Sequence, residues 1–145
     1  LFHISSAANN NLGYLYRNEN PEKAILYFEK AIEFNDKMSM YNLSLILIYN
    51  DKTKEAISRS IELLIKSSEQ GFQPANNLLC IALIIKNGCN YTYIMQELKN
   101  KAKNYNLLYN TVIGIIENEK LDNKSIFDQK YLLYKSSYYI YTVSG

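Results

Sequence analysis

The sequence has no tryptophan, one histidine, two cysteines, two prolines and five glycines in 145 residues. Each scarcity excludes something. His3 alone cannot build a histidine zinc site or serve a nucleophile-and-base set, and Cys80 and Cys89 do not fall in a CxxC spacing. There is no GxSxG, no HExxH and no glycine-rich phosphate loop. The carboxylates are spread along polar helix faces, where solvation is the ordinary reading. The chain therefore reads as a non-enzyme with no cofactor and no metal. The longest apolar run, Leu78 to Ile85, falls far short of the roughly 20 residues a bilayer requires, so no direct membrane insertion is expected. No signal-peptide pattern is expected in the first residues, which open on Leu1 rather than Met. The net charge is +2 and no block of Lys or Arg occurs, so no nucleic-acid partner is expected.

What is present is apolar and tyrosine-rich. Hydrophobic residues make up 48% and charged residues 21%, ordinary for a globular domain with its own core. Tyr occurs 14 times. Asn, Lys and Ile are also heavily used, a bias that an AT-rich coding sequence produces without functional meaning. Cys80 falls on an apolar helix and Cys89 in a turn, and two free thiols suit a reducing, cytoplasmic compartment.

The organising stretch runs from Ala8 to Ala31. Ser5 or Ser6 can cap a first helix reaching about Arg17, with Ala8, Leu12, Leu15 and Tyr16 expected inward. Gly13 costs about 1 kcal/mol in a helix interior, tolerable where another helix must come close. Asn20-Pro21-Glu22 starts a second helix with a cap, a first-turn proline and an acid at the positive end of the dipole. Its buried stripe is expected to be Ala24, Phe28, Ala31 and Ile32.

Weaker copies of this pair follow. Met40, Leu43, Ser44 and Leu47 repeat Asn9, Leu12, Gly13 and Tyr16 at a displacement of 31 residues. Ser60, Ile61, Leu64 and Ser67 repeat Ala24, Ile25, Phe28 and Ala31 at a displacement of 36. The five extra residues must lie around Asn50 to Glu55, as extra helical turns or a longer loop. Gly71 supplies a left-handed helix stop. A third pair runs from Pro74 through Asn87-Gly88 and then from about Tyr91 to Asn104, with Leu98 as core filler. A fourth begins near Tyr109, and its second helix is expected from about Asn123 to Tyr138. Four units result, about 7–38, 39–73, 74–107 and 108–141, in a single domain. The chain opens on Leu1 rather than Met, and Leu1-Phe2-His3 sits in the register of a helix end. A fragment of a longer solenoid, or the ordered part of something longer, fits that opening.

A period of 31 to 36 residues, each holding a helix pair, is the signature of an α-solenoid. Leu12-Gly13-x2-Tyr16 followed by Ala24-x3-Phe28-x2-Ala31 resembles the tetratricopeptide superfamily. Glu69-Gln70-Gly71-x3-Ala75 resembles its Sel-like branch. The expected fold is thus all-α, an α-α superhelix of about four hairpins. The first helix of each unit lacks an early aromatic, and Leu47 and Leu83 stand where the pattern has Tyr.

The resemblance implies a scaffold or adaptor that binds a partner helix or peptide on the concave face, within a larger complex. By register that face comprises Asn10, Tyr14 and Arg17, then Tyr41, Leu45 and Ile48, then Asn77, Ile81 and Ile84, with Thr111, Ile115 and Asn118 in the weak fourth unit. Arg17, Ile48, Ile84 and Asn118 are not a base-reading code, which argues against RNA. The middle helices are apolar almost all round. Such helices must be covered on every side, by a tight superhelix or by a partner. A second surface is the C-terminal segment with Tyr138, Tyr139 and Tyr141, which lacks the polarity of a terminal cap. The alternatives are a constitutive subunit of a large complex, or a Sel-like adaptor of membrane-protein quality control or of a polysaccharide synthase. The last pair would place the chain in the secretory lumen. Three glycosylation sequons, at Asn42, Asn90 and Asn123, bear on that choice.

Overall fold

The computed structural model describes residues 5–122. They form seven α-helices and one π-helical turn, with no strand among the described residues: α1 (Ser6–Tyr16), α2 (Pro21–Ile32), α3 (Lys37–Ile46), the π-turn (Leu47–Asp51), α4 (Lys54–Glu69), α5 (Pro74–Asn87), α6 (Tyr91–Lys101) and α7 (Tyr105–Asn118). The protein is all-helical.

Local chemistry sets the helix ends. The side chains of Ser5, Asn20, Asp36, Thr53 and Asn90 each accept a hydrogen bond from a free amide of the following first turn. Pro21 and Pro74 open α2 and α5, where a missing N–H costs nothing. Helix α4 closes in a Schellman arrangement. Gly71, at φ +85°, donates its N–H to the Ser68 carbonyl, and Phe72 donates to the Ser67 carbonyl. Asn35 and Lys120 play the same left-handed role after α2 and α7, through Asp36 N–H to Ala31 O and Leu121 N–H to Ile116 O.

Each helix packs on the next from α1 to α5, and α7 packs on both α5 and α6. Helix α3 is the centre. Ten consecutive residues from Ser39 through Ile48 are buried. One side of α3, with Met40, Leu43 and Leu47, joins Ala24 and Phe28 of α2 and Ala56 and Leu63 of α4. The other, with Tyr41, Leu45 and Ile48, joins Ile57, Ile61 and Leu64 of α4 and the apolar stretch Leu78 to Ile84 of α5.

Helix α1 is rotated from the sequence expectation. Leu15 is 65% exposed, while Asn9, Asn10 and Gly13 are buried. Gly13 explains the rotation: a Cβ there would lie 2.5 Å from Cε1 of Phe28, so the bare glycine backbone is the only surface the ring can approach so closely. Asn10 turns inward with it. Its Oδ1 accepts from Ser39 Oγ and from Asn42 Nδ2, both at 2.8 Å, tying α1 to α3 in a fully buried polar cluster.

Several polar links between distant residues fall at a similar spacing, while Ser44 Oγ donates to the Ser60 carbonyl at a separation of 16. Asn10 pairs with Ser39 and Asn42, Glu29 with Arg59, Lys37 with Ser67, Glu69 with Lys103, Cys80 with Leu108, and Cys89 with Leu121. The separations of these hydrogen bonds run from 28 to 34 residues.

Candidate interaction surface

The register-selected groove is filled by the fold. Tyr41, Leu45, Ile48, Ile81 and Ile84 are core side chains, with Ile48 and Ile84 wholly buried. Tyr41 meets Phe72 edge-on at 5.6 Å. These five offer no free surface, and this corrects their assignment to a partner-binding face. The neighbouring α4 and α5 supply the cover that an all-round apolar helix needs. Asn10 is likewise a core residue, held by α3.

Tyr14 and Arg17 are half-buried. The Arg17 guanidinium lies 3.8 Å from the centroid of the Tyr14 ring, and its Nη1 donates to the Tyr14 carbonyl at 2.7 Å. That stacking commits Arg17 to its own helix end. Asn77 and Asn118 are exposed, and Thr111 and Ile115 are half-buried. Tyr138, Tyr139 and Tyr141 lie outside the described residues, as does the expected second helix of the fourth unit.

The stretch where extra residues are expected holds the π-turn Leu47–Asp51, a left-handed Lys52 at φ +65°, and the cap Thr53. The Asp51 carboxylate accepts from Thr53 N–H at 3.1 Å and from Thr53 Oγ1 at 2.6 Å, and the hydroxyl bond, then the backbone bond, lowers its pKa. The link is thereby locked across Lys52.

Beside it opens a cleft of about 410 Å³, lined by Lys52, Lys54, Ile57, Ser58, Ile85 and Lys86. Ile57 is buried and Ile85 half-buried, so the lining combines apolar side chains with three lysines. Lys86 is engaged: its Nζ lies 2.6 Å from Glu97 Oε2, which also holds Lys101 at 2.9 Å, while Asn87 Nδ2 donates to Glu97 Oε1 at 2.9 Å. Burial works against the Glu97 charge. The bonds from Asn87, Lys86 and Lys101 outweigh it and hold the carboxyl below its ordinary range. Among the described residues, neither Lys52 nor Lys54 enters an ion pair.

The cleft was not picked out from the sequence. Its one signal there was the change of displacement from 31 to 36, which marks an insertion carrying Lys52-x-Lys54. Nothing in the pattern says that the C-terminal end of α5 meets it.

Among the described residues no group of three or more His, Cys, Asp or Glu could hold a metal ion. No described helix is long and apolar enough to cross a membrane. Burial pushes the Cys80 thiol up to about 12, and burial followed by the nearby Asp122 charge raises Cys89. Neither thiol is primed as a nucleophile. Among the described residues the fold is all-helical, with a lysine-lined cleft between the start of α4 and the end of α5. Comparison with protein-family models, with curated proteins and with solved structures finds no match.

Proposed function

We propose that the chain is a short tetratricopeptide- or Sel-like α-solenoid that works as a non-enzymatic scaffold for protein partners. The observation that carries this reading is the similar spacing, 28 to 34 residues, of several long-range polar links. Hairpins stacked side by side place each residue against its counterpart one period further on. A bundle wrapped about a single core has no reason to repeat one separation. Some of the links join like helices: Asn10 to Ser39 and Asn42 runs between first helices, and Glu29 to Arg59 between second helices, whereas Lys37 to Ser67 closes one hairpin between α3 and α4. A stack of this kind presents surface rather than a reaction centre, which supports binding as its role.

The test is amine-reactive cross-linking of the full chain in its native source, followed by mass spectrometry. Reproducible links from a cluster of surface lysines to one protein support the scaffold. Links scattered evenly over all lysines, with no recurrent protein, overturn it.

The exposed Leu15, Leu26 and Phe34 near the first hairpin, and Tyr93 and Leu107 near the last described helices, favour a second reading. Large apolar side chains at both ends of a stack suit a subunit built permanently into a complex. A soluble, monodisperse monomer from the isolated chain would count against it. On compartment, the two free thiols support the cytoplasm. Of the sequons, Asn42 is wholly buried with its Nδ2 donating to Asn10, and Asn90 is exposed but caps α6. Asn123 lies outside the described residues. A glycan at Asn90 would move the assignment to the secretory lumen.

A further inference from the structure

Helix α3 does not end at a simple stop. It widens into a π-turn, passes through a left-handed lysine and restarts as α4. A π-turn and a left-handed non-glycine both carry backbone strain, and such strain persists where surrounding contacts over-determine it. Here the Asp51 to Thr53 bonds do so. The result is that Lys52 and Lys54 line one cleft with Lys86, which comes from the far end of α5.

The charged side chains that line the cleft are all lysines. The first turns of α4 and the last turn of α5 both border it, so a positive and a negative helix end lie side by side and largely offset each other. Lys86 is paired with Glu97. The Asp51 carboxylate keeps its charge, since Thr53 is a neutral donor, but it is not among the residues that line the cleft. Glu55 is exposed on the first turn of α4 but is not among the residues that line the cleft. Among the described residues Lys52 and Lys54 enter no ion pair, and they line the cleft together with Ile57 and Ile85. A lysine ammonium acts as a compact charge without the fixed fork of arginine, so it suits carboxylates arriving on a flexible chain.

We propose that this cleft binds an acidic peptide segment carrying one apolar side chain, supplied by the protein partner. The proposal rests on the scaffold reading and adds the site and chemistry of capture. The volume of about 410 Å³ exceeds what a lone ion needs and suits a few side chains. The apolar side chain lies on Ile57 and Ile85, and flanking carboxylates face Lys52 and Lys54. Exposed ion pairs contribute little, so the apolar anchor carries the affinity and the lysines set orientation and the choice of charge.

Fluorescence anisotropy with the full chain and a labelled Glu-Asp-Leu-Glu-Glu peptide tests this. The double substitution Lys52→Glu with Lys54→Glu is expected to weaken binding at least about tenfold. Lys30→Glu with Lys66→Glu makes the same change in net charge at exposed positions outside the cleft lining, and should weaken it less than about threefold. Circular dichroism checks that both variants keep their helices. A peptide with Ser in place of Leu should bind at least about tenfold more weakly. Equal loss in both double variants would reduce the effect to net charge and overturn the proposal. Undiminished binding of the Ser peptide, or its full displacement by millimolar inorganic phosphate, would make the cleft an anion site and also overturn it. Absence of any peptide binding, with a partner still cross-linked elsewhere on the chain, would reject the cleft and leave the scaffold reading intact. Loss of both would reject the two together.

Discussion

Replacing Gly13 by Ala sets two opposing effects against each other. Alanine is favoured over glycine in a helix interior by about 1 kcal/mol, which alone would stabilise α1. Against this, the new Cβ would sit 2.5, 2.6 and 2.8 Å from Cε1, Cδ1 and Cζ of Phe28. Carbon atoms pack at roughly 3.5–4 Å, so the ring must retreat by about 1 Å. Phe28 has no room to do so: it is wholly buried and packed among Ala24, Met40 and Leu43. Overpacking of a filled core costs about 1–3 kcal/mol, and three ring atoms in violation put this case near the upper end. The net expectation is a loss of about 1–2 kcal/mol, or about 3–8 °C in Tm. Gly114 provides the control, since it lies within α7 and a Cβ there meets nothing within 4 Å. Gly114→Ala should therefore gain about 0.5–1 kcal/mol by propensity alone. Urea unfolding monitored by circular dichroism measures both. In a Phe28→Leu background the penalty at Gly13 should shrink by about 1 kcal/mol or more. A neutral or stabilising Gly13→Ala would refute the close approach of α1 to α2, and with it the rotation that turns Asn10 inward.

Two further outcomes follow from buried titratable groups. Because the Cys80 thiol is pushed up to about 12 by burial, a thiol reagent at neutral pH should leave it unmodified until the protein unfolds globally, with only the half-buried Cys89 reacting slowly in the native state; fast labelling of both thiols without denaturant would contradict the packing of α5. Glu97 has its pKa lowered on folding, so its contribution to stability is present above its unfolded value near 4.5 and is lost as pH falls through its folded value. Stability measured between about pH 6 and pH 3 should therefore fall less steeply in Glu97→Gln than in the wild type, and parallel profiles would count against the Lys86, Asn87 and Lys101 cluster.

Helix starts and stops were readable in the chain because they depend on neighbours in sequence. Ser5, Asn20, Pro21, Pro74 and Gly71 act within four or five residues of themselves, so residue type and spacing suffice. Burial of Ala24, Phe28, Ala31 and Leu98 was readable for the same reason, as an apolar stripe of helical period. The face of α1 was not. Leu15 is as apolar as Leu12, and only the depth to which Phe28 reaches across from α2 decides that a glycine and two asparagines go inward. Register placed Asn10 on the concave face; its partners, Ser39 and Asn42, lie 29 and 32 residues away.

The candidate site shows the same division. Apolar character along Tyr41, Leu45, Ile48, Ile81 and Ile84 was plain from the pattern, but periodicity states only that a side chain must be covered, not by what. Helices α4 and α5 cover them, so the groove that the register pointed to is part of the core. Conversely, Lys52, Lys54 and Lys86 carried no pattern that joined them, since a cleft between a helix start and another helix's end is a property of how helices are arranged in space. Sequence alone determined that the described residues are helical and where most helices begin and end, because propensity, capping and periodicity are short-range effects. Tertiary structure alone decided which apolar faces meet each other and which charges are left facing water, because burial is settled by the approach of segments far apart along the chain.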